Sequence, residues 1–447
     1  MRLTILLVML SLIRCLVDAQ SQPPVTNHET LARLVTADLA ARRFEQVVVR
    51  FSPAVGQELD AAKLAASWDS VIKQLGAFDS IVSVKREEKS GLALVYLTCQ
   101  FASGKLTLII GFDPSDRIAT LTSMPPESNA VWKPPAYATT NTFTERPVSV
   151  TTGAWELPGI LTIPNGKGPV PAIVLVHGSG PNDQDESIGP NKMFKDLAWG
   201  LANRGVAVLR YEKRTRKYGV RSSSDPQALT VADETINDAR SAAALLAATT
   251  GIDPKRIFVA GHSLGAFAGP RIAMGEDRIA GLILMAGNTR PLEDLIVEQM
   301  RYLVSINSPT PEGEKQIAAA EKAAKELRNP DLKPGMTVDV MGAKLPASYV
   351  LDLRSYKPGE TAAALKIPML VLQGERDYQV RLADFEGWKK ALAGHPNVVF
   401  KLYPALNHLF MPGDGPPSNV EYLKPNHVLE QVISDIAAWI NADGKVK

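Results

Sequence analysis

Residues 257–266 have the sequence Ile257-Phe258-Val259-Ala260-Gly261-His262-Ser263-Leu264-Gly265-Ala266. An apolar run typical of a buried strand breaks into Gly-x-Ser-x-Gly and continues in small residues typical of a helix. A tight strand-to-helix turn would hold the hydroxyl of Ser263 exposed, and bulkier residues at Gly261 or Gly265 would clash there. The pattern therefore predicts a nucleophile elbow. Chance alone gives the motif in about one chain in ten of this length, so its context decides its meaning.

Two further residues complete a catalytic set in the order nucleophile, acid, base. Asp377 and His408 each lie just past an apolar, strand-like run. The carboxyl ends of parallel strands meet at the edge where open α/β sheets bind ligands. We therefore expect His408 to take the proton from Ser263, and Asp377 to orient the imidazole and stabilise its charged form. A surface loop remains the alternative for His408, and Glu375 remains an alternative acid.

A glycine-rich loop follows the strand-like run 170–176, with the sequence His177-Gly178-Ser179-Gly180-Pro181-Asn182-Asp183. Backbone N–H groups of such a loop can stabilise the negative oxygen of a tetrahedral intermediate. We expect the two donors to be the N–H groups of Ser179 and of Leu264, the residue after the nucleophile. Gly180 is expected to line the substrate pocket. The loop lacks the Gly-Lys-Ser/Thr ending of a P-loop, which disfavours a phosphate cradle.

The region around these motifs alternates between two patterns. Strand-like runs lie at 170–176, 206–211, 256–260, 279–285, 367–372 and 398–403, and helical patterns lie at 193–203, 231–249, 264–274, 382–392 and 427–441. This alternation predicts an α/β domain with a mostly parallel sheet and helices on both faces. Thr230 and Asp233 resemble a capping box at the start of one helix.

Between residues 287 and 360 the alternation stops. The stretch holds an Ala/Lys/Glu-rich helical pattern at 312–328, with few large apolar residues. We expect an insertion above the sheet that serves as a lid, with Leu295, Met300 and Leu303 lining the substrate pocket. A solvated excursion is the alternative.

Residues 27–125 predict a separate α+β domain of ordinary size. Two helical patterns precede four strand-like runs at 81–86, 92–101, 105–112 and 117–121. In element order this domain resembles the small cystatin and nuclear-transport-factor-two domains. It holds no catalytic set, so a structural or binding role is expected. Residues 126–147 are rich in Pro, Thr and Asn and predict a linker, after which 148–447 form the second domain.

The first nineteen residues have the pattern of a secretory signal: Arg2, an apolar run and a small-residue end. We expect secretion or a periplasmic location and no stable membrane span once the signal is removed. The run is short for a membrane span. Lipid anchoring at Cys15 is a lesser alternative, because Arg14 is a poor fit before a lipoprotein cysteine. Removal of the signal would leave Cys99 as the one cysteine, which its strand-like surroundings predict to be a buried thiol.

Composition narrows the function classes. The chain has 447 residues, 45% of them apolar, and a formal net charge of +2, with no basic block of the kind that binds nucleic acid. His177 and His262 are expected to be structural members of their turns. Their spacing from Cys, Asp and Glu does not indicate a metal site, and no cofactor is expected. The oligomeric state stays open.

On these motifs residues 148–447 resemble the α/β-hydrolase family. The glycine-rich loop together with Arg210-Tyr211-Glu212-Lys213-Arg214 is similar to a group of bacterial carboxylesterases that carry a small α+β domain in front. That group usually has Tyr-Asp-Lys-Arg-Gly, whereas Glu212 and Thr215 stand here. The resemblance implies cofactor-free cleavage of carboxylic esters through an acyl-serine. It also implies that Arg214 anchors the oxyanion loop through Asp183 or Asp185, a plain surface ion pair being the alternative.

Other functions are compatible with a Ser-His-Asp set, because the set alone does not separate esters from amides or thioesters. A prolyl-oligopeptidase-type serine peptidase or a thioesterase is the nearest alternative. The peptidase is disfavoured because such enzymes usually carry a large β-propeller, and the front domain here is small. A non-catalytic binding protein of the same fold is disfavoured by the intact set. The expected partner is a small-molecule ester.

Overall fold

The computed structural model describes residues 28–89, 91–124, 132–166, 168–219, 222–306 and 311–445. The expected signal segment, with Cys15, lies outside these residues. The chain divides into two units, Met1–Pro126 and Glu127–Lys447. Within the described residues, no helix combines the length and the apolar character that a membrane crossing requires.

The front unit places helices before a sheet, as the sequence predicts. Its elements are α1 (His28–Ala40), α2 (Phe44–Val48), α3 (Pro53–Glu58), α4 (Ala61–Leu75), β1 (Phe78–Lys89), β2 (Leu92–Phe101), β3 (Gly104–Phe112) and β4 (Ile118–Met124). The four strands form an antiparallel meander in chain order. Alternate residues of β2, including Val95, Leu97 and Cys99, point into a core closed by Leu39 and Trp68 of the helices. Burial of the Cys99 thiol raises its pKa to about 11, so the prediction of a buried, unreactive thiol is confirmed.

The second unit is larger. Its elements are β5 (Phe143–Thr152), β6 (Trp155–Pro164), β7 (Val170–Val176), β8 (Ser187–Ile188), β9 (Asn191–Lys192), α5 (Met193–Ala202), β10 (Ala207–Tyr211), α6 (Arg214–Tyr218), α7 (Asn237–Ala247), β11 (Ile252–His262), α8 (Leu264–Ala273), β12 (Ile279–Met285), α9 (Leu292–Ile306), α10 (Pro311–Leu327), β13 (Thr337–Val340), β14 (Ala343–Pro346), α11 (Ala347–Ser355), α12 (Pro358–Ala364), β15 (Met369–Gly374), α13 (Leu382–Ala391), β16 (Val398–Tyr403) and α14 (Glu430–Asn441).

Eight of these strands form one sheet in the order β16-β15-β12-β11-β7-β10-β6-β5. The strands from β16 to β10 are parallel, and β6 and β5 extend the sheet antiparallel at one edge. The six parallel strands are those that the apolar runs predict, which confirms the α/β fold. The antiparallel strands β5 and β6 were not predicted.

Both faces of the sheet are buried, and the central strand β7 shows why its sequence is apolar throughout. Ala172, Val174 and Val176 pack on the face covered by α7, α8 and α13, whereas Ile173 and Leu175 pack on the face covered by α5 and α14. A strand with two buried faces has no position for an exposed polar residue. At the start of the segment that leads into α7, the Asp233 N–H donates to Thr230 Oγ1 over 3.2 Å and the Thr230 N–H donates to Asp233 Oδ2 over 3.1 Å, which confirms the capping box.

Part of the predicted linker packs on the second unit. Strand β5 begins at Phe143, inside the segment 126–147. Before it, Trp132 Nε1 donates to Asp196 on α5 over 2.9 Å, and the Tyr137 hydroxyl donates to the Val428 carbonyl over 2.8 Å. The Lys195 ammonium lies 4.6 Å from the centre of the Trp132 ring. Residues 132–142 therefore belong physically to the second unit.

The insertion, residues 287–360, lies between β12 and β15, and its described parts, 287–306 and 311–360, are folded. They hold α9, α10, α11, the start of α12 and the β13–β14 hairpin, with a small core of Leu327, Leu332, Val338, Ala347 and Val350. Its first residues are fixed to α13, because the backbone N–H groups of Thr289 and Arg290 each donate to Asp384 Oδ1 over 2.9 Å. The predicted helix 312–328 is α10.

Candidate active site

Ser263 lies at the turn between β11 and α8, in a backbone conformation that L residues rarely adopt. Its φ is 52° and its ψ is −115°, and its N–H donates to the Met285 carbonyl over 2.9 Å. A Cβ on Gly261 would collide with the backbone of Gly265, and one on Gly265 would collide with the Val176 carbonyl. The glycines therefore allow the turn to pack against the end of β7, as the sequence predicts.

Asp377 and His408 are in contact at the carboxyl ends of β15 and β16. His408 Nδ1 lies 2.6 Å from Asp377 Oδ2, and both side chains are buried. The other carboxylate oxygen, Oδ1, accepts the N–H groups of Gln379 over 2.8 Å and Val380 over 3.0 Å. These bonds fix the carboxylate plane, so His408 is held in one orientation with Nε2 turned away from Asp377. Glu375, the alternative acid, is exposed.

The loop after β7 lies directly against the nucleophile. A Cβ on Gly178 would stand 3.1 Å from the Ser263 Cβ. Ser179 and Gly180 are exposed towards the same cavity as Ser263, Leu264 and His408. Leu264 is the first residue of α8, so its N–H has no partner within the helix. The structure thus brings together the residues that the sequence assigns to the catalytic set and to the oxyanion hole.

A second carboxylate-histidine pair lies beneath this loop. Glu186 Oε1 accepts the Gly178 N–H over 2.6 Å, and Glu186 Oε2 lies 3.1 Å from His262 Nδ1. His262 Nε2 lies 3.0 Å from the His408 carbonyl, which can only accept, so Nε2 carries a proton. Burial alone lowers the pKa of His262, but the Glu186 carboxylate, together with the His408 carbonyl and Asp377, outweighs burial and raises this pKa above its ordinary value.

This pair connects the oxyanion loop, the nucleophile turn and the base loop. The sequence predicts His262 only as a structural member of its turn, and it does not predict Glu186 at all. Glu186 is one of several acids in a short polar loop, and no spacing marks it as the partner of His262.

His177, also expected to be structural, is buried, and its Nε2 lies 3.0 Å from the Asp183 carbonyl. Burial lowers the pKa of His177 to about 4, so this imidazole is neutral near pH 7. Among the described residues, no group of three or more His, Cys, Asp or Glu side chains could hold a metal ion.

The predicted anchor of the oxyanion loop is wrong. Arg214 does not reach Asp183 or Asp185; its Nε donates to Asp238 on α7 over 3.0 Å, and both side chains are buried. Arg210, four residues earlier, is the anchor, and its guanidinium bonds Asp185 and Glu145. Arg210 is the last but one residue of β10, so it points from the sheet towards the loop after the neighbouring β7, whereas Arg214 begins α6.

The cavity above Ser263 has a volume of about 1450 Å³ and is formed between the sheet edge and the insertion. Its apolar lining from the insertion includes Leu292, Leu295, Ile296, Leu345 and Tyr349. Leu295 is thus where the sequence expects it. Met300 and Leu303, the other expected lining residues, are not among those that line the cavity, and Leu303 packs against the core beside Tyr302.

The periodicity of helix α9 explains why Leu295 lines the cavity and Leu303 does not. Leu292, Leu295, Ile296 and Gln299 share the face of α9 that lines the cavity, and Leu303 lies on a face that meets the core instead. The amphipathic pattern predicts that α9 has an apolar face without indicating which neighbour it contacts.

Comparison with known proteins places the two units in different families. Residues 32–121 match a family of proteins of unknown function, DUF3887, and residues 173–416 match the alpha/beta hydrolase family. The chain is 38% identical to Esterase EstD of Thermotoga maritima over 409 residues, which cover 92% of this chain and 94% of that protein.

Solved structures with similar folds include Est1E from Butyrivibrio proteoclasticus, with 16% identity, a TM-score of 0.44 and coverage of 66% of this chain and 99% of that one. A hyperthermophilic esterase from the archaeon Pyrobaculum calidifontis has 18% identity, a TM-score of 0.42 and coverage of 67% and 85%. The hydrolase family match spans more than half of the chain, and the Thermotoga relative matches nearly all of it. This chain belongs to the alpha/beta hydrolase family.

Proposed function

We propose that this protein is a carboxylic ester hydrolase that acts through an acyl-serine on Ser263. The observation that carries the proposal is the 2.6 Å contact between His408 Nδ1 and Asp377 Oδ2, in the cavity that also exposes the turn of Ser263. The relative that matches over nearly the whole length carries the name esterase, which supports esters over amides as the substrate class.

In this mechanism Ser263 Oγ attacks the ester carbonyl carbon while His408 Nε2 takes the hydroxyl proton. Asp377 keeps the imidazole in one orientation and stabilises its positive charge. The N–H groups of Ser179 and Leu264 donate to the oxyanion of the tetrahedral intermediate. When the intermediate collapses, the carbon–oxygen bond to the alcohol breaks and His408 returns the proton to the alcohol. Water then adds to the acyl carbon while His408 takes a proton from it, the bond to Ser263 Oγ breaks, and His408 returns the proton to Ser263 as the acid leaves.

The shape of the cavity supports esters with a bulky apolar acyl group. Its volume of about 1450 Å³ is larger than a small acyl chain needs, and side chains of the insertion supply much of its apolar wall. We place the acyl group against the wall formed by Leu292, Leu295 and Ile296.

The test is a hydrolysis screen of p-nitrophenyl esters from two to sixteen carbons, with aminoacyl anilides and acyl thioesters in parallel. We expect esters to be cleaved at least a hundredfold faster than anilides, and Ser263→Ala to abolish both turnover and labelling by a fluorophosphonate. Anilides as the better substrates would support the peptidase alternative. Labelling of a serine other than Ser263, with full activity in Ser263→Ala, would contradict the proposed nucleophile.

We further propose that the protein is exported. The charged start, apolar run and small-residue end of residues 1–19 support this. N-terminal sequencing of the protein from its native host, after cell fractionation, is expected to give a mature start near Gln20. A cytoplasmic protein that retains Met1 would contradict the proposal.

A further inference from the structure

The motif Arg210-Tyr211-Glu212-Lys213-Arg214 contains a buried cation that the mechanism above does not use. Lys213 lies at the end of the loop that leads into α6 and is 2% exposed. Its Nζ donates to the Gly178 carbonyl over 2.8 Å. Few lysines are buried to this extent unless their charge is paired, because removal of the ammonium from water costs free energy.

The charge of Lys213 is balanced by Glu234, whose Oε2 lies 3.4 Å from Nζ. Glu234 belongs to a π-helical segment, Ala232–Ile236, that precedes α7. Its carboxylate also accepts the Tyr349 hydroxyl over 2.7 Å and the Thr215 hydroxyl over 3.0 Å. Single turns of π-helix are rare and occur often at functional sites. Here the widened turn brings a carboxylate into the wall of the substrate cavity.

The acceptor identifies what Lys213 does. The Gly178 carbonyl belongs to the peptide unit whose N–H is that of Ser179. In a trans peptide the C=O and the N–H point in opposite directions, so a group that holds the carbonyl on one side fixes the direction of the N–H on the other. Asn182 Nδ2 donates to the same carbonyl over 3.1 Å, and the Asn182 carbonyl accepts the Lys213 N–H over 3.1 Å.

We propose that Lys213 is a positioning residue for the oxyanion hole: through the Gly178 carbonyl it orients the Ser179 N–H towards the oxyanion and polarises the peptide so that this N–H becomes a stronger donor. The inference rests on the proposed function of the site. A hydrogen bond to a charged group is stronger than one between neutral groups, and a cation on the carbonyl draws electron density away from the N–H of the same unit. Glu234 is the counter-ion that allows the cation to be buried there.

The experiment compares Lys213→Met with the charge-balanced pair Lys213→Met/Glu234→Gln. The double variant removes the buried carboxylate that the single variant leaves without its cation, so it keeps the test valid if the single variant folds poorly. The matched control is Arg214→Met/Asp238→Asn, which removes a buried ion pair from the same segment without touching Gly178. All are measured on the p-nitrophenyl ester that the wild type cleaves best, and thermal melting is recorded for each.

We expect both Lys213 variants to lose about tenfold to hundredfold in kcat with KM within about threefold, less than the loss of a whole donor because Asn182 still holds the carbonyl. A trifluoromethyl ketone, which adds to the serine hydroxyl as a hemiketal with an oxyanion, is expected to bind more weakly by a similar factor. The control is expected to melt at a lower temperature and to keep kcat and the ketone affinity within about twofold.

Two outcomes would overturn the proposal. Recovery of kcat in the double variant would mean that Lys213 only neutralises Glu234. An equal loss in the control would mean that any buried pair of this segment has the same effect. If the wild type cleaved no ester, the proposed function would fail instead. The ketone affinities would then still decide on Lys213, because hemiketal formation needs no leaving group: Ser263 Oγ bonds the carbonyl carbon, His408 takes the hydroxyl proton, and the oxyanion hole binds the carbonyl oxygen.

Discussion

Glu186 and His262 form a buried ion pair, Oε2 to Nδ1 3.1 Å, directly beneath the peptide that faces the nucleophile. Burial alone raises the pKa of Glu186 and lowers that of His262. The surrounding groups together outweigh this effect. His262, His177 and the Gly178 N–H hold the pKa of Glu186 below its ordinary 4.5. Glu186, the His408 carbonyl and Asp377 hold the pKa of His262 above its ordinary 6.5. Because the folded state raises the pKa of His262, protonation of this imidazole stabilises the fold. This contribution to the free energy of unfolding is complete below pH 6.5 and is lost as the pH rises through the raised pKa.

The lowered pKa of Glu186 gives the opposite dependence of stability on pH. Its contribution to the free energy of unfolding is complete above pH 4.5 and is lost as the pH falls through the lowered pKa. Glu186→Gln keeps an acceptor for the Gly178 N–H and removes the charge. We expect the melting temperature of this variant to lie further below that of the wild type at about pH 6 than at about pH 9. A difference that stays constant between these two pH values would show that the pair is not ionic.

Asp377→Asn is expected to lower kcat by roughly three to four orders of magnitude, because an amide at this position favours the wrong tautomer of His408. The matched control is Glu375→Gln, which changes the exposed alternative acid two residues away and is expected to stay within about twofold of the wild type. Steady-state kinetics on one ester decides between them. A severe loss in Glu375→Gln with a near-normal Asp377→Asn would assign the acid to Glu375.

Arg210→Met is expected to lower the free energy of unfolding by about 1–3 kcal/mol, because it removes one of the two cations of the buried Asp185 and leaves only Lys192, whose Nζ lies 2.8 Å from Asp185 Oδ2. Urea denaturation measures the change. Adding Asp185→Asn should recover part of the loss, since it removes a buried charge that Lys192 alone balances. If Arg210→Met unfolded at the same urea concentration as the wild type, the anchor of the oxyanion loop would have to lie elsewhere.

Leu295→Ala and Ile296→Ala are expected to move the preferred acyl chain by about two carbons or more towards longer esters, because both side chains line the cavity. Leu303 lies on the same helix but packs against the core and is half-buried, so Leu303→Ala should lower stability by about 1–2 kcal/mol, less than a fully buried leucine, and leave the preference unchanged. Chain-length profiles of the three variants provide the measurement. A shift in Leu303→Ala alone would place the acyl pocket on the other side of α9.

The sequence predicts the parallel half of the sheet well because those strands are buried on two faces and are apolar without interruption. It does not predict β5, where most residues are exposed, Pro147 interrupts the pattern and the composition is that of a linker. An edge strand with one solvent-exposed face contains few apolar residues, and only its pairing with β6 identifies β5 as a strand.

The catalytic set could be predicted for a different reason. Ser263, Asp377 and His408 lie next to strand ends that sequence patterns locate, and parallel topology brings those ends together. The supporting residues could not be predicted in the same way. Whether Arg210 or Arg214 contacts Asp185 depends on the direction in which each guanidinium points at the end of β10. The pairing of Lys213 with Glu234 depends on a π-helical turn that no residue pattern predicts.

The positive φ of Ser263 also destabilises the folded protein. A serine held at 52° and −115° stores backbone strain of about 1–3 kcal/mol, which the surrounding packing must outweigh. Glycine adopts such a conformation without that strain, so Ser263→Gly is expected to be inactive and yet to melt above the wild type. Selection for stability alone would therefore remove the nucleophile. Consensus-based or directed stabilisation of this protein needs a screen for turnover at every round, because a substitution that relieves strain at this residue raises the melting temperature and ends catalysis.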